Sequence, residues 1–391
     1  MERITTYLKG DRVIWIVVVI LSIFSMLAVY SSTGTLAYKY QSGNTEYYLL
    51  KHIAIVFMGL LLMYFAHLVK YTYYSRVSQI LIWIAIPMLL LTLIVGTNIN
   101  EASRWLTLPV VGITFQTSDL AKIALIMYVA RLLAKKQGQI KDFKGTFVPI
   151  IVPVVVVCAL IFPANFSTAS VLFTTCLILM FIGRVRMRYM LSMLGIGLIC
   201  GSLFVTVLYN SEPLQGFGRL GTWQTRIINF IDGEQEGNYQ VEQAKIAIAK
   251  GGFIGSGPGN STQRNFLPHP YSDFIFAIIV EEYGMLGGVI VVLLYFILLF
   301  RTIRMVGKSP GTFAALLSIG CCFSLVFQAL INMAVAVNLV PVTGLALPMV
   351  SMGGTSILFT SIAVGIILSV SKSVEEGADN KKTRKSRVSV A

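Results

Sequence analysis

Ten apolar segments recur along the chain, and their length constrains its fold more than any other feature. A helix needs ~20 predominantly apolar residues to cross the hydrocarbon core of a bilayer, and most of the segments reach that length. They cover residues 13–32, 52–69, 79–97, 119–134, 147–163, 168–183, 189–209, 274–300, 312–337 and 354–371. Charged residues make up only 12% of the chain, against ~25% in a soluble domain. We therefore predict an all-α, polytopic membrane protein with about ten transmembrane helices.

Lysine and arginine predict the orientation of these helices, because cytoplasmic loops of membrane proteins carry an excess of both. Most of the 31 basic residues fall in cytoplasmic segments if the N-terminus is placed inside. This distribution explains the net charge of +14, and its spread over separate segments argues against nucleic-acid binding. We predict one domain over 1–391 with both termini in the cytoplasm, an extracytoplasmic loop at 210–272, and a basic, disordered cytoplasmic tail at 372–391.

Ionisable residues near membrane spans are costly to bury, so they indicate functional sites. The first group comprises Arg104, Trp105 and the stretch from Gln116 to Lys122, in which Asp119 stands where the first turn of a helix favours an acid. Asp119 and Lys122 are three residues apart and share a helix face. Either the pair neutralises a buried lysine, or the lysine is a cation kept for an anionic ligand; the spacing leaves both open.

The predicted outer loop at 210–272 forms the second group, because loops of that length usually have a function. Residues 239–250 place apolar side chains at helical spacing, which predicts an amphipathic surface helix. The glycine-rich stretch 251–259 follows and either forms turns or cradles a phosphate. Polar candidates in the loop are Arg219, Trp223, Arg226, Tyr239, Gln240, Gln243, Lys245, Lys250, Gln263 and Arg264.

Three acids near the eighth predicted span form the third group. Asp273 opens the span at its outer end, where a carboxylate either stabilises the helix N-terminus by about 0.3–1 kcal/mol or takes part in chemistry. Glu281 and Glu282 lie deeper in the same helix and need partners, for which Lys122 and the basic residues of the outer loop are candidates.

Other chemistries find no support in the sequence. The five cysteines lie in apolar segments without metal-ligand spacing, which predicts buried core residues. The three histidines do not cluster: His52 and His67 are predicted at the membrane interface and His269 in the outer loop. The sequence contains no HExxH, CxxC or Ser-His-Asp arrangement, so neither zinc chemistry nor covalent serine chemistry is indicated.

Three ordered motifs resemble those of the SEDS family, which includes the FtsW, RodA and SpoVE proteins. The stretch Gln263–Gly284, QRNFLPHPYSDFIFAIIVEEYG, resembles the family signature around its central aspartate. Arg104-Trp105 with Gln116–Lys122, and the stretch Asn332–Ser356, resemble two further family motifs. The likeness covers nearly the whole chain and extends to the ten-span layout.

Two departures from the family pattern bear on the site. Tyr271 and Ser272 stand where the family has His-Thr, so a proton-transfer role for that histidine would fall to Tyr271 or His269. Asp119 replaces a glutamate, which preserves the carboxylate. The run at 257–263 and the compact length look more like the division-associated FtsW branch than the RodA branch.

The resemblance implies a peptidoglycan glycosyltransferase of the bacterial cytoplasmic (inner) membrane, working at the division septum in the FtsW branch. Such an enzyme polymerises lipid II with inversion and releases undecaprenyl pyrophosphate, in partnership with a class B penicillin-binding protein and other division proteins. It implies Asp273 as the base, with Arg104, Lys122, Arg226, Gln263 and Arg264 as candidates for binding substrate and pyrophosphate. Supporting candidates are Asp119, Glu281, Glu282, Tyr239, Gln243 and Ser351. A divalent cation, magnesium or manganese, could assist at the pyrophosphate, although no metal-ligand cluster is readable.

Alternative functions stay open at this point. A transporter that flips lipid II accounts equally well for the intramembrane charges, but it does not require an acid at the outer end of span eight. A scaffold that only recruits a transpeptidase predicts that Arg104→Ala or Lys122→Ala preserves function. A RodA-type polymerase of cell elongation and cell shape shares the same motifs. The DFIF and LPxxSxGG motifs argue against an O-antigen ligase.

Overall fold

The structure, a computed structural model, describes residues 9–40, 44–99, 102–107, 114–212, 219–232 and 239–388. The helices are α1 (Arg12–Ser32), α2 (Gly34–Tyr40), α3 (Thr45–Leu68), α4 (Tyr71–Val95), α5 (Thr117–Lys135), α6 (Val148–Ile161), α7 (Phe166–Ile182), α8 (Met187–Asn210), α9 (Arg219–Asp232), α10 (Tyr239–Gly251), α11 (Ile275–Val306), α12 (Thr312–Ala336) and α13 (Thr355–Val388). Between α4 and α5 a small antiparallel sheet has the order β1 (Thr97–Ile99), β2 (Ala102–Thr107), β3 (Thr114–Gln116). Shorter turns are the π-helical Phe143–Phe147 and the 3-10 helices Gln137–Gln139 and Gln263–Asn265.

Each of the ten predicted spans coincides with one of these helices. Eight are long and apolar enough to cross a membrane: α1, α3, α4, α6 with the turn before it, α8, α11, α12 and the first part of α13. The helix α7 is apolar but shorter, and α5 is interrupted by charged residues such as Asp119 and Lys122. The all-α membrane architecture is confirmed, whereas the count of ten spans and the outer loop stay predictions.

The bundle is organised around α12 and α13, which are more buried than the other spans. α13 lies along α3, and α12 contacts α5, α7, α11 and α13. One continuous core of aliphatic, methionine and cysteine side chains runs through these helices. Within α8, which the structure describes throughout, only Leu208 is buried. The outward apolar side chains of α8 suit a lipid solvent.

The start of α1, the end of α11 and the middle of α13 meet at one end of the bundle. Asp11 caps α1 and pairs with Arg301 near the end of α11, with Oδ2 2.6 Å from Nη2. The Asp11 amide donates to Ser371 Oγ at 2.8 Å, which ties the start of α1 to α13. The helix α13 continues to Val388, where we predicted a disordered tail; its lysine and arginine residues are good helix formers and no proline interrupts them.

One prediction about a single residue is wrong. Cys200 is exposed on α8, while the other four cysteines are buried as predicted. His52 is fully buried, with Nε2 2.7 Å from Ser25 Oγ, and His67 is buried near the end of α3. Both histidines are covered because α3 packs between α1 and α13, and their place at the membrane interface stays a prediction.

The predicted amphipathic helix is present as α10, which packs on the first turns of α11. Its buried residues Val241, Ala244 and Ala247 join one apolar cluster with Phe274 and Ile278. The polar face of α10 stays outside, as the spacing predicts. This packing stabilises the segment that precedes α11 and carries Asp273.

The glycine-rich stretch 251–259 docks onto a break in α11. Gly284 has φ +69°, so the helical path is interrupted there. In the turn of α11 just before Gly284, the Glu281 carbonyl accepts from the Ser256 amide at 2.9 Å and the Glu282 carbonyl accepts from the Gly257 amide at 3.0 Å. The stretch thus supplies hydrogen bonds that the broken helix would otherwise leave unmade.

The glycines in this stretch allow two backbones to approach closely. A Cβ atom on Gly251 would lie 2.0 Å from the Val280 carbonyl oxygen, and one on Gly255 would lie 2.2 Å from that of Glu282. Real Cβ atoms do not approach a backbone oxygen that closely, so only glycine fits. The stretch forms turns, as one of its two interpretations predicts.

Candidate active site

A cavity of about 370 Å³, here called the Asp273 cavity, lies where the first turns of α5 and α11 approach α12. Its lining includes Trp105, Gln116, Asp119, Lys122, Asn165, Thr168, His269, Tyr271, Ser272, Asp273, Gln328 and Ser356. Two of the three polar groups singled out in the sequence therefore share one space. A cleft in which a carboxylate and a cation converge is the usual form of a binding or catalytic site.

Asp273 is half-buried just before α11, and neighbouring side chains hold its backbone in place. Asn332 Nδ2 donates to the Asp273 carbonyl at 2.8 Å, and Ser351 Oγ donates to the Ser272 carbonyl at 2.6 Å. Ser272 Oγ in turn donates to Asp273 Oδ1 at 2.8 Å. The carboxylate therefore lines the cavity from a position fixed by α12 and by the segment before α13.

Lys122 and Asp119 form an ion pair on α5, with Nζ 2.8 Å from Oδ1. Lys122 Nζ also donates to Gln328 Oε1 at 3.1 Å. An ammonium group has three donors, so within the described residues these two bonds leave one proton for a ligand. The ion pair predicted from the spacing exists, and its lysine still faces the cavity, so the two interpretations of the pair are compatible.

Arg226 on α9 lines an adjoining, largely apolar cavity of about 310 Å³. Its Nη1 donates to the Val342 carbonyl at 3.0 Å, and Asn165 lines both cavities. Burial lowers the pKa of the Arg226 guanidinium, while the Asp273 carboxylate opposes that shift. Because arginine remains protonated in proteins, a permanent cation lies within electrostatic reach of Asp273. The aromatic wall of this cavity comprises Phe166, Phe204 and Trp223.

Glu281 is fully buried in α11 and is paired with the outer segment. Its Oε1 lies 3.6 Å from Lys250 Nζ and accepts from the Thr262 amide at 3.0 Å. A basic residue of the predicted outer loop is therefore its partner, as expected. The alternative partner, Lys122, is wrong, because Asp119 and its own helix α5 hold that lysine elsewhere.

Glu282 and Arg264 meet at Ser31, in the last turn of α1. Glu282 accepts from the Ser31 hydroxyl, and Arg264 Nη1 donates to the Ser31 carbonyl at 3.0 Å. The Gln263 amide donates to Glu281 at 3.3 Å. These contacts form a polar cluster that joins α1, α11 and the segment before Asp273. The structure does not bring Gln263 or Arg264 to the lining of the Asp273 cavity.

The remaining sequence candidates lie around the cavity. Tyr239 and Gln243 belong to α10, and Ser351 is buried behind the Asp273 backbone. Arg104 lies on β2, and its side chain is outside the described residues. The adjacent Trp105 does line the cavity.

The sequence did not predict Gln328 or Asn165 as site residues, and it gave Asn332 only as the first residue of a motif. Gln328 and Asn332 are four residues apart in the apolar helix α12, which places both on one face. Two amides in a membrane-spanning segment are a signal that could have been used. Asn165 gave no such signal, since it stands in a short connection and accepts from the Thr168 amide at 3.2 Å as the cap of α7.

The site combines a carboxylate, a cation and an adjoining apolar cavity. Among the described residues, no group of three or more His, Cys, Asp or Glu side chains could hold a metal ion. A carboxylate that accepts a proton and fixed cations that stabilise an anion suit a group transfer with an anionic leaving group.

Comparison with known sequences gives a consistent result. The chain matches the FtsW/RodA/SpoVE family, described as a cell cycle protein, over residues 11–376. It is 32% identical over 368 residues to a protein of Trichlorobacter lovleyi named probable peptidoglycan glycosyltransferase FtsW, covering 92% of this chain and 93% of that protein. It is 29% identical over 372 residues to stage V sporulation protein E of Bacillus subtilis, covering 93% and 97%.

Solved structures share the fold. One, reported as structural coordination of polymerization and crosslinking by a peptidoglycan synthase complex, has a TM-score of 0.74 at 22% identity, covering 93% of this chain and 98% of that one. The rod shape determining protein RodA of Thermus thermophilus has a TM-score of 0.65 at 22% identity, covering 93% and 97%. At this identity the likeness concerns the fold alone.

Proposed function

Since the chain belongs to the FtsW/RodA/SpoVE family of cell cycle proteins, we propose that it is a peptidoglycan glycosyltransferase that polymerises lipid II. One observation carries the proposal: Asp273 and the Asp119–Lys122 pair line the same cavity although they are far apart in the sequence. An inverting transfer needs a base for the attacking hydroxyl and charge stabilisation for the leaving group. This cavity supplies both.

The reaction is a direct displacement at an anomeric carbon. The 4-hydroxyl of a terminal N-acetylglucosamine attacks C1 of the muramyl sugar, and Asp273 accepts the hydroxyl proton. The new C1–O bond forms while the C1–O bond to the diphosphate breaks, and the electron pair departs with undecaprenyl diphosphate. The configuration at C1 inverts because attack occurs opposite the leaving group.

The departing diphosphate is stabilised by Lys122 and Arg226. Lys122 keeps a donor directed to the cavity, and Arg226 lines the adjoining apolar space, whose aromatic wall suits a polyprenyl chain. We keep Arg104 as a further diphosphate ligand. Magnesium or manganese arriving with the diphosphate would find carboxylate ligands in Asp119 and Asp273, the oxygen donors that such ions prefer.

The polar cluster at the break of α11 has a different role in this proposal. Glu281, Glu282, Gln263 and Arg264 hold the segment that leads to Asp273, rather than touching the diphosphate. Tyr239 and Gln243 present the outer face of α10 to the lipid entry path. Ser351 positions Asp273 through the Ser272 carbonyl.

The biological setting follows the FtsW branch in this proposal. The enzyme works at the division septum in the bacterial cytoplasmic membrane, with both termini in the cytoplasm. Its partners are a class B penicillin-binding protein and other division proteins. The run at 257–263 and the FtsW-named relative at 32% identity support this branch.

Lipid II in detergent tests the proposal, because detergent micelles have no two sides between which a lipid can be flipped. The purified full chain is incubated with lipid II, alone and with its cognate transpeptidase, and glycan products are separated on gels. We expect glycan polymer. Absence of polymer in both reactions, together with lipid II translocation in vesicles, would support the transporter instead.

Removing the cation of the Asp273 cavity should cost most of the activity. We expect Lys122→Met to slow polymerisation by roughly 10²–10³, the usual loss for one electrostatic contact to a developing charge. The exposed Lys245 on α10 offers a matched control, and Lys245→Met should retain the wild-type rate. The rates are measured in the lipid II assay.

A double variant separates this loss from misfolding. Lys122→Met leaves the Asp119 carboxylate buried without its cation, which destabilises the fold. Adding Asp119→Asn removes that carboxylate, so the thermal unfolding midpoint should recover while polymerisation stays low. Recovery of the rate together with the midpoint would contradict a role for Lys122 at the diphosphate.

A further inference from the structure

An irregular segment, residues 345–352, runs through the bundle between α12 and α13 and is here called the connecting segment. It contains neither helix nor strand, yet most of its residues are buried. Buried backbone outside helices and strands needs other hydrogen-bond partners, because a carbonyl left unpaired away from water is costly. Side chains from three helices supply those partners.

Four carbonyls of the connecting segment accept hydrogen bonds from side chains of the surrounding helices. The donors lie on α12 for the first two bonds, on α11 for the third and on α1 for the fourth. The donor and acceptor pairs are, in that order, Asn332 with Leu345 at 2.7 Å, Gln328 with Ala346 at 2.8 Å, Tyr295 with Pro348, and Ser25 with Val350 at 2.8 Å. These bonds fix the position of the segment relative to all three helices.

One end of the connecting segment positions Asp273. Ser351 Oγ donates to the Ser272 carbonyl at 2.6 Å, and the Met352 amide donates to the Tyr271 carbonyl at 2.9 Å. Both bonds reach the two residues immediately before Asp273. The place of the carboxylate therefore depends on the place of the connecting segment.

The other end of the connecting segment positions the cation of the Asp273 cavity. Gln328 donates from Nε2 to the Ala346 carbonyl, and its Oε1 accepts from Lys122 Nζ at 3.1 Å. The nitrogen and oxygen of one amide lie in a plane, so the bond to Ala346 also fixes the direction of Oε1. One segment thus supports both the carboxylate and the ammonium group that face the cavity.

Tyr295 anchors the middle of the connecting segment. Its side chain is 1% exposed, and its hydroxyl donates to the Pro348 carbonyl, between Ala346 and Ser351. Tyr295 lines neither the Asp273 cavity nor the adjoining apolar cavity. A phenylalanine in its place would keep the packing of the ring and leave only the carbonyl unpaired.

We propose that Tyr295 is a positioning residue for glycosyl transfer, acting through the Pro348 carbonyl and the connecting segment. The segment sets the separation of the Asp273 carboxylate and the Lys122 ammonium, and the inference rests on the proposed function. A displacement of ~1 Å at a reacting group costs roughly 10²-fold in rate. The loss falls on kcat and not on KM, because the substrate keeps its contacts with Arg226 and the apolar cavity.

Tyr295→Phe and Tyr74→Phe form a matched pair of variants. Tyr74 is also buried, and its hydroxyl donates to the Ala66 carbonyl at 2.6 Å, between α4 and α3. Each variant loses one buried hydrogen bond, so the two unfolding midpoints should fall by similar amounts. In the lipid II assay Tyr295→Phe should lower kcat by about tenfold or more, with KM little changed. Tyr74→Phe should keep the wild-type values of both.

A double-mutant cycle tests whether Tyr295 acts through the connecting segment. Ser351→Ala removes the bond to the Ser272 carbonyl. Two residues that act through one segment are not independent, so Tyr295→Phe/Ser351→Ala should lose less kcat than the product of the two single losses. Tyr74→Phe/Ser351→Ala should lose no more kcat than Ser351→Ala alone.

Three results would overturn the inference while the proposed function stands: a wild-type kcat in Tyr295→Phe, equal losses of kcat in Tyr295→Phe and Tyr74→Phe, or fully multiplicative losses in the cycle. Absence of polymer from the wild type would overturn the proposed function and the inference with it. If Tyr295→Phe does not fold, Ser25→Ala removes the neighbouring bond to the Val350 carbonyl and takes its place in the same comparison.

Discussion

Asp273→Asn will abolish most glycan polymerisation while the protein still folds and reaches the membrane. A positioned general base typically contributes about 10²–10⁴ in rate, and an amide cannot accept the hydroxyl proton. The variant should fold, because Asn332 holds the Asp273 backbone carbonyl and not its side chain. The lipid II assay measures the rate, and the thermal unfolding midpoint in detergent reports on folding.

Two further variants show that the position of the carboxylate matters. Asp273→Glu keeps the acid but moves it by one methylene, so we expect an intermediate rate. Glu46→Gln removes an exposed carboxylate from the first turn of α3 and should leave the rate unchanged. Wild-type polymerisation by a correctly folded Asp273→Asn would show that another group is the base.

Gly255→Ala should cause the largest loss of stability among single methyl additions in the glycine-rich stretch. Gly255 has φ +93°, which costs an alanine about 1–2 kcal/mol, and the new Cβ would lie 2.2 Å from the Glu282 carbonyl oxygen. Overpacking against a backbone that cannot move adds about 1–3 kcal/mol. We expect a clearly lower unfolding midpoint and reduced polymerisation, since this stretch leads to Asp273.

Gly259→Ala is the matched control for that prediction. Gly259 also has a positive φ, +78°, but nothing lies within 4 Å of its added Cβ. It should therefore show only the conformational cost of about 1–2 kcal/mol. Equal loss of stability in both variants would mean that close packing against the break in α11 contributes nothing.

The Asp273 cavity favours an enzyme over a transporter on structural grounds. Three contacts hold the backbone on and beside Asp273: Asn332 donates to its carbonyl, Ser351 donates to the Ser272 carbonyl, and α10 packs on Phe274. Such rigid support is what catalysis needs from a base, because small displacements of a reacting group cost large factors in rate.

The sequence by itself determined the class of fold and most of the site. Ten apolar segments, most of them long enough to span a membrane, exclude the fold of a soluble protein. Within one of them, Asp119 and Lys122 are three residues apart and so share a helix face in any tertiary fold. The amphipathic period of residues 239–250 likewise predicts α10 from local geometry alone. The resemblance of the motifs around Asp273 to those of the family made this residue the candidate base.

Only the tertiary structure decided which polar groups meet. Partners far apart in the sequence, such as Lys122 with Gln328 or Glu281 with Lys250, depend on how helices rotate and pack, and no local pattern encodes that rotation. The break in α11 also depends on tertiary structure: Gly284 has a positive φ, and the glycine-rich stretch packs against the helix at that point. His52 shows it most plainly: its burial and its hydrogen bond with Ser25 come from the packing of α3 against α1 and α13.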